Sequence, residues 1–193
     1  MIRKLFVGLI GLFIVSTLSS CGYNTMVQMD ENVKSKWSQV ENAYQRRADL
    51  IPNLVTTVKG AANFEKETLT QVVEARAKAT SVHIDADNLT PENIAQFQAA
   101  QGALGQSLGR LLATVEAYPD IKANQNFLEL QAQLEGTENR ISVERRAFNE
   151  ATQQYNSQIR KFPNNIMAGI FGFKEKGYFK ADAGANEAPK VEF

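Results

Sequence analysis

Residues 127–162 read FLELQAQLEGTENRISVERRAFNEATQQYNSQIRKF. Phe127, Leu134, Ile141, Phe148, Tyr155 and Phe162 recur every seven residues without a gap. Leu130, Ala151 and Ile159 partly fill the companion positions. A seven-residue apolar repeat keeps one stripe of a helix turned toward a partner. The spacing therefore predicts a seam of about 40 residues, roughly 60 Å long at 1.5 Å per residue. Pro163 ends it, since a proline ring removes a donor and clashes with the preceding turn.

Working outward, the sequence before this seam carries the same period. Val33, Trp37, Val40, Tyr44, Ile51, Leu54 and Val58 alternate by threes and fours, one apolar face of an amphipathic helix. Arg47 interrupts that face, and Pro52 frees the carbonyl four residues back, on Ala48. The apolar phase is unbroken across Pro52, which predicts one kinked helix over about 25–60 rather than two. Gly60 is its expected end and Asn63 the expected cap of the next helix, about 64–80, which holds Leu69, Val72, Val73 and Arg76. Ser81 to Leu89 reads as a loop. Thr90-Pro91-Glu92 then supplies a cap oxygen, a first-turn proline and an acidic group at the positive helix end. The third helix carries Ile94, Phe97, Leu104, Leu108, Leu111, Leu112 and Val115 and ends near Tyr118-Pro119. Gly102, Gly105 and Gly109 within it suggest close approach of another backbone, since glycine otherwise costs a helix stability. No strand pattern occurs. Four helices on short connections predict an all-α fold, an antiparallel up-and-down four-helix bundle with long helices.

Beyond the seam, residues 162–173 (FPNNIMAGIFGF) and Tyr178-Phe179 are apolar, aromatic and glycine-rich. They either pack across the bundle end or offer a contact surface. Residues 181–193 are small and polar and are expected to be a disordered tail.

The start of the chain sets location. Arg3 and Lys4 precede an apolar run from Leu5 to Leu18, and Ser19-Ser20 lead to Cys21, the only cysteine among 193 residues. That order matches a secretory signal of the lipoprotein type. Residues 1–20 are thus expected to be a signal peptide, and Cys21 the lipid-attachment residue opening a domain over 21–180. The run is short for a transmembrane helix, which needs about 20 apolar residues, and an uncleaved signal anchor is the other reading. Gly22, rather than Asp, follows Cys21, which favours the periplasmic face of the outer membrane if the host has two membranes. A lone cysteine allows no disulfide within the chain, so the fold must rest on its core. A chain of this size buries roughly 70% of its unfolded surface, enough for one core.

The chain holds 21 basic and 21 acidic residues. Loss of Arg3 and Lys4 leaves acid in excess by two. Neither a nucleic-acid binder nor an acidic solvating tail is indicated. His83, the only histidine, stands near Asp85 and Asp87, but a transition-metal site wants several His or Cys ligands. Asp85-Ala86-Asp87-Asn88 lacks the glycine and closing glutamate of a calcium loop. No serine elbow and no Glu-x-x-His pair for bundle di-iron chemistry is present. No catalytic, metal or cofactor residue is assigned, and a non-enzymatic role is expected.

Two blocks carry a family resemblance. The first runs Arg46-Arg47-Ala48-Asp49-Leu50-Ile51-Pro52-Asn53-Leu54-Val55 and on to Val58-Lys59-Gly60. The second runs Tyr118-Pro119-Asp120-Ile121-Lys122-Ala123-Asn124-Gln125-Asn126-Phe127, then Leu130-Gln131, Leu134-Glu135 and Thr137-Glu138-Asn139-Arg140-Ile141. Together with Tyr155-Asn156 and Phe162-Pro163, they resemble the signature blocks of the LemA family over nearly the whole mature chain. The resemblance implies an antiparallel helical bundle outside the cytoplasmic membrane and brings no established activity. Members commonly carry an N-terminal transmembrane helix; Cys21 departs from that and changes the anchor. Such proteins keep company with membrane proteases and TPM-domain proteins, which points to envelope stress or protein quality control.

Within the blocks, Arg47, Asp49, Asn124, Gln125, Asn126, Glu135, Glu138 and Arg140 are polar residues bordering the helix seams. They form either a buried network that fixes register or a groove for a peptide or small ligand; the first is favoured because buried polar groups ordinarily satisfy one another. Trp37 and Tyr44 suit either a core or a membrane-interface anchor. The expected role is a lipid-anchored scaffold or interaction module of the bacterial envelope, bound to the membrane through Cys21 and to an envelope protein. A seam of this kind also serves between chains, which leaves homo-oligomerisation open.

Overall fold

The computed structural model describes residues 2–60 and 64–181, with side chains from residue 22 onward. Those residues form six α-helices and no strand. They are α1 (Ile2–Lys59), α2 (Lys66–Ser81), α3 (Pro91–Val115), α4 (Pro119–Lys122), α5 (Gln125–Arg160) and α6 (Asn164–Phe171).

α1 runs unbroken through Pro52, as the constant apolar phase requires. The carbonyl of Ala48 that Pro52 leaves without its usual partner accepts a hydrogen bond from Arg76 Nε on α2 at 2.8 Å. The proline is thus tolerated because the neighbouring helix satisfies the orphan. α1 begins well before residue 25, at Ile2.

α1 packs chiefly on α5, and α2 on α3. Arg46 meets Gln133, Arg47 meets Glu138, and Trp37 meets Phe148. Positions rise on one helix as they fall on the other, so α1 and α5 are antiparallel. Gln71 with Arg110, and Ala79 with Gln101, fix the same relation between α2 and α3.

The core has two halves. Around Trp37 lie Phe97, Phe148 and Phe179, with edge contacts to Phe97 and Phe148 at 5.1 and 5.6 Å and a stacked contact to Phe179 at 6.1 Å. The other half gathers Ile51, Leu54, Val58, Val72, Leu104, Leu111 and Phe127. Trp37 and Tyr44 are both buried, so the membrane-anchor reading of this pair fails: each fills an aromatic contact inside the body.

Several expectations change. The seam stops at Arg160, giving 36 residues in α5 rather than about 40. Phe162 lies outside it and is 81% exposed. Gly102, Gly105 and Gly109 touch no other backbone: a Cβ at the first or last would meet nothing within 4 Å, and at Gly105 only the Arg47 guanidinium at 3.9 Å. α2 starts after Glu65, whose side chain makes no cap bond; the expected cap Asn63 lies outside the described residues, as do residues 182–193 of the expected tail and the side chain of Cys21. Thr90 does cap α3, its Oγ1 accepting from Asn93 N at 3.2 Å. Asn124 caps α5, its Oδ1 accepting from Asn126 N and Phe127 N.

After α6, residues 173–181 run extended across α3 and α5 as a strap. Gly172 reverses the chain with φ 76°, a left-handed conformation that glycine enters without steric cost. The aromatic segment is therefore both things the sequence allowed: Phe179 is buried, while Phe162, Ile166, Ile170 and Phe171 are exposed.

Candidate functional site

The two signature blocks meet across α1 and α5. Arg47 is 3% exposed. Its Nη1 donates to Glu138 Oε1 at 2.7 Å, and its Nη2 donates to Gln101 Oε1 at 2.8 Å and to Gln101 O at 3.1 Å. Its guanidinium also lies 5.0 Å from the Tyr44 ring centroid. A buried arginine is tolerable only when paired in this way. Gln101 in turn donates to Ala79 O, joining α1, α2, α3 and α5 at one point.

Only part of the expected polar set gathers there. Asp49 is exposed and accepts from Gln45 Nε2 at 2.7 Å. Glu135 accepts from Gln131, and Arg140 pairs with Glu144 on its own helix at 2.7 Å. Asn124 serves as a cap. Gln101 lies outside both blocks, and nothing in its surroundings in the sequence marked it.

Further along the same α1–α5 face is a shallow groove of about 400 Å³. Asn53, Thr57, Asn126, Leu130 and Gln133 line it. Thr57 bonds back to Asn53 O, leaving amides as the main polar groups presented. The Glu129 carboxylate lines it as well, so the surface offers amide hydrogen bonds beside one negative charge.

The opposite end, where α1 leaves Cys21, is built differently. Lys34 Nζ is held by Asp87, Asp30 and Glu31 at 2.6, 3.0 and 3.1 Å. Asp87 and then Asp30 hold the Lys34 ammonium above its ordinary value. Lys34 in turn lowers the Asp87 carboxyl. Asp30 also pairs with the buried Lys176 at 2.8 Å, and Lys176 lies 5.3 Å from the Tyr155 ring centroid. Burial pushes the Tyr155 phenol up to about 12, and its hydroxyl donates to Lys174 O at 3.0 Å. The Asp85–Asn88 loop is thus tied to α1 by a charge pair and closed on itself by an Asp85 turn.

His83 is exposed on the same loop. It flanks a small recess with Glu41, whose carboxyl is raised by burial against the pull of Trp37 and His83. Among the described residues, no group of three or more His, Cys, Asp or Glu is placed to hold a metal ion. Nor is any described helix long and apolar enough to cross a membrane.

An exposed face of aromatic and branched residues surrounds α6. Ile166 and Ile170 lie one turn apart, 54% and 69% exposed, beside Phe162 and Phe171. α6 rests on α1 at Gly22 and Tyr23. Asn164 touches Gly22, where an added Cβ would lie 2.5 Å from Asn164 Oδ1. The Tyr23 ring sits 4.8 Å from Phe171 and 5.8 Å from Phe173.

The fold and these surfaces define an all-helical protein whose buried charges serve its architecture and whose signature residues line helix seams. The chain belongs to the LemA family: the family pattern matches residues 36–193. It is similar to magnetosome protein MamQ 2 of Paramagnetospirillum magneticum, 31% identical with 82% of this chain and 64% of the relative covered. It is similar to magnetosome protein MamQ of Magnetospirillum gryphiswaldense at 30%, covering 81% and 64%. Protein LemA of Metamycoplasma hominis is 27% identical, with 82% of this chain and 68% of the relative covered. The chain thus spans 64% of the length of the magnetosome relatives it matches, just under two thirds.

Proposed function

We propose that this protein is a lipid-anchored helical scaffold of the bacterial envelope, without enzymatic activity, that holds an envelope protein partner at the membrane surface. In this reading residues 1–20 are removed, Cys21 carries the lipid, and α1, α2, α3 and α5 act as one antiparallel four-helix bundle. The observation that carries it is the contact of Asn164 with Gly22. The folded body packs up to the residue after Cys21, with no linker between anchor and body. A protein so built keeps its seams within reach of a membrane complex. The buried charges Arg47 and Lys176 are spent on pairs that join separate elements, which supports a structural role. The cited relatives are named for a cell structure or for the family, and none for a reaction. Envelope stress or protein quality control is the setting this reading favours.

Labelling cells with a radioactive fatty acid tests the anchor. Label should enter the wild-type chain and be absent from Cys21→Ala. A wild-type chain without label overturns lipidation. Cross-linking in the same two strains tests the partner. A partner captured with the wild type and lost with Cys21→Ala places the function in a membrane complex.

A second reading rests on the groove lined by Asn53, Thr57, Asn126 and Gln133, where both signature blocks meet. There the bundle binds an extended peptide through amide hydrogen bonds. A thermal shift of the purified chain with a peptide pool, abolished by Asn126→Ala, supports this reading; no shift with any peptide rejects it.

A further inference from the structure

We infer that α6 is an interfacial helix that lies in the surface of the lipid bilayer, a second membrane contact beside the anchor. The inference rests on the membrane-anchored reading above and specifies which face meets the lipid.

The first observation is composition. Residues 162–173 contain no charged side chain, while Lys161 and Lys174 flank them and Arg160 is paired with Glu175 at 3.6 Å. An apolar segment bounded by basic residues matches a bilayer interface, where acyl chains take the apolar face and anionic headgroups attract the cations. The second is orientation. α6 buries Ala168 against the body, yet its outer side shows Ile166 and Ile170, continued by Phe162. A soluble helix places polar residues outward, whereas here the solvent side is the apolar one. The third is position. Tyr23 packs on Phe171 and stands two positions along the helix from Cys21, about 3 Å of rise. The apolar run Leu5–Leu18 precedes that same point. Any membrane that holds the chain there is thus held beside α6. Tyrosine is also a residue that favours the headgroup level. Lastly, Gly172 and the clamped strap that follows fix the far end of α6 to the body, so its outer face cannot fold inward.

A second contact adds to an anchor that a lipidated Cys21 carrying several chains would already hold firmly. It also sets orientation: with α6 in the surface, the body cannot swivel freely about Cys21.

The test uses the full chain purified from membranes and reconstituted in phosphatidylcholine–phosphatidylglycerol vesicles. Ile170→Cys and, as control, Val143→Cys carry a nitrobenzoxadiazole label; both native residues are exposed, Val143 on the outer side of α5. Flotation reads the anchor, and emission with quenching by shallow spin-labelled lipids reads α6. Floating chains in which the residue 170 label shifts to the blue and is quenched, while the residue 143 label does neither, are expected. Floating chains with an unquenched residue 170 label overturn the inference and leave the anchor standing. A residue 170 label that is blue-shifted but insensitive to the lipid quencher assigns the face to a second copy or a protein, and also overturns it. Chains that do not float overturn both readings.

Discussion

Arg76 supplies the hydrogen bond that Pro52 removes. Its Nε donates at 2.8 Å to the carbonyl of Ala48, four residues before the proline. One helix is thereby held continuous by a side chain of the next, and the two sequence features explain each other. Arg76→Met should cost about 1–2 kcal/mol, the penalty for leaving a sheltered carbonyl unpaired. The cost should fall in a Pro52→Ala background, where a backbone N–H is again available. A double-mutant cycle by urea denaturation reads the difference as coupling of about 1 kcal/mol. Additive effects would show that the two residues act independently.

The strap is held by amides acting as surrogate backbone. Asn149 Oδ1 accepts from Phe179 N, and Asn149 Nδ2 donates to Phe179 O, both at 2.9 Å. Asn156 grips Lys176 in the same two-bond fashion at 2.9 and 2.8 Å, and Gln98 grips Lys180 at 3.1 and 2.9 Å. These clamps seat the Phe179 ring against Phe148 at 5.5 Å. Asn149→Ala should cost about 2 kcal/mol, because two half-buried backbone groups lose partners. Phe179→Ala should cost about 3–4 kcal/mol through the cavity it opens. Limited proteolysis adds a local readout: cleavage after Lys176 or Lys180 should accelerate in both variants.

Gly177 allows the strap to cross the start of α3. A Cβ there would lie 2.7 Å from Pro91 Cα and 2.9 Å from Thr90 O, both rigid backbone. The strap would have to lift, breaking the Gly177 N to Leu89 O bond of 2.9 Å. Gly177→Ala is expected to lower stability by about 1–3 kcal/mol. Gly102→Ala and Gly109→Ala should do the reverse, each adding about 0.5–1 kcal/mol, since both sit on an open helix face. Thermal melts of the three variants check the contrast. Equal effects would put the glycine of close approach elsewhere.

The contrast shows what periodicity carries and what it omits. Repeats such as Phe127-Leu134-Ile141-Phe148-Tyr155 report burial along one helix, so the four long helices and their faces were readable, whereas the short α4 and α6 were not. The Thr90-Pro91 start was readable because capping is local chemistry. The strap was not: Asn149 and Asn156 look like ordinary polar positions until the chain returns from thirty and twenty residues away. Gly177 was hidden for the same reason, since its constraint lies on Pro91. Arg47 could be singled out as a charge on an apolar face, yet its partner Gln101 could not, because no local pattern marks a polar residue that meets another helix. The exposed side of α6 became evident only once its packing against Tyr23 was known.

Arg47 tests whether the polar centre is architecture. Arg47→Ala removes three hydrogen bonds and a buried side chain, and strands Gln101. The expected loss is about 3 kcal/mol, from the buried side-chain volume removed and the Gln101 groups left without a partner. Arg47→Met keeps most of the volume and should lose less, because an apolar replacement also removes the desolvated charge. Glu138 is half exposed, 52% by side chain, so Glu138→Gln should cost about 1 kcal/mol, the value of one modest hydrogen bond. Chemical denaturation ranks the three. An unchanged midpoint for Arg47→Ala would reject a structural role and return Arg47 to the ligand-binding reading.

The Lys34–Asp87 pair gives stability a defined pH window. Lys34 is held above its ordinary value of 10.5, and Asp87 below its ordinary value of 3.8. A lowered carboxyl stabilises the folded state above its unfolded value and loses that contribution as pH falls through the folded one. A raised amine stabilises below its unfolded value and loses the contribution as pH rises through the folded one. The pair therefore contributes fully between the two ordinary values and fades outside them. Asp87→Asn should melt at a lower temperature than the wild type across that interval. The gap should close in acid, as Asp87 is protonated, and begin to close in alkali, as Lys34 loses its proton. Salt should narrow it too, because Asp87 is exposed and screened. Melting curves of both proteins from acid to alkaline pH decide the matter: a gap that widens in acid would mean that Asp87 stabilises the fold through its protonated form rather than through Lys34.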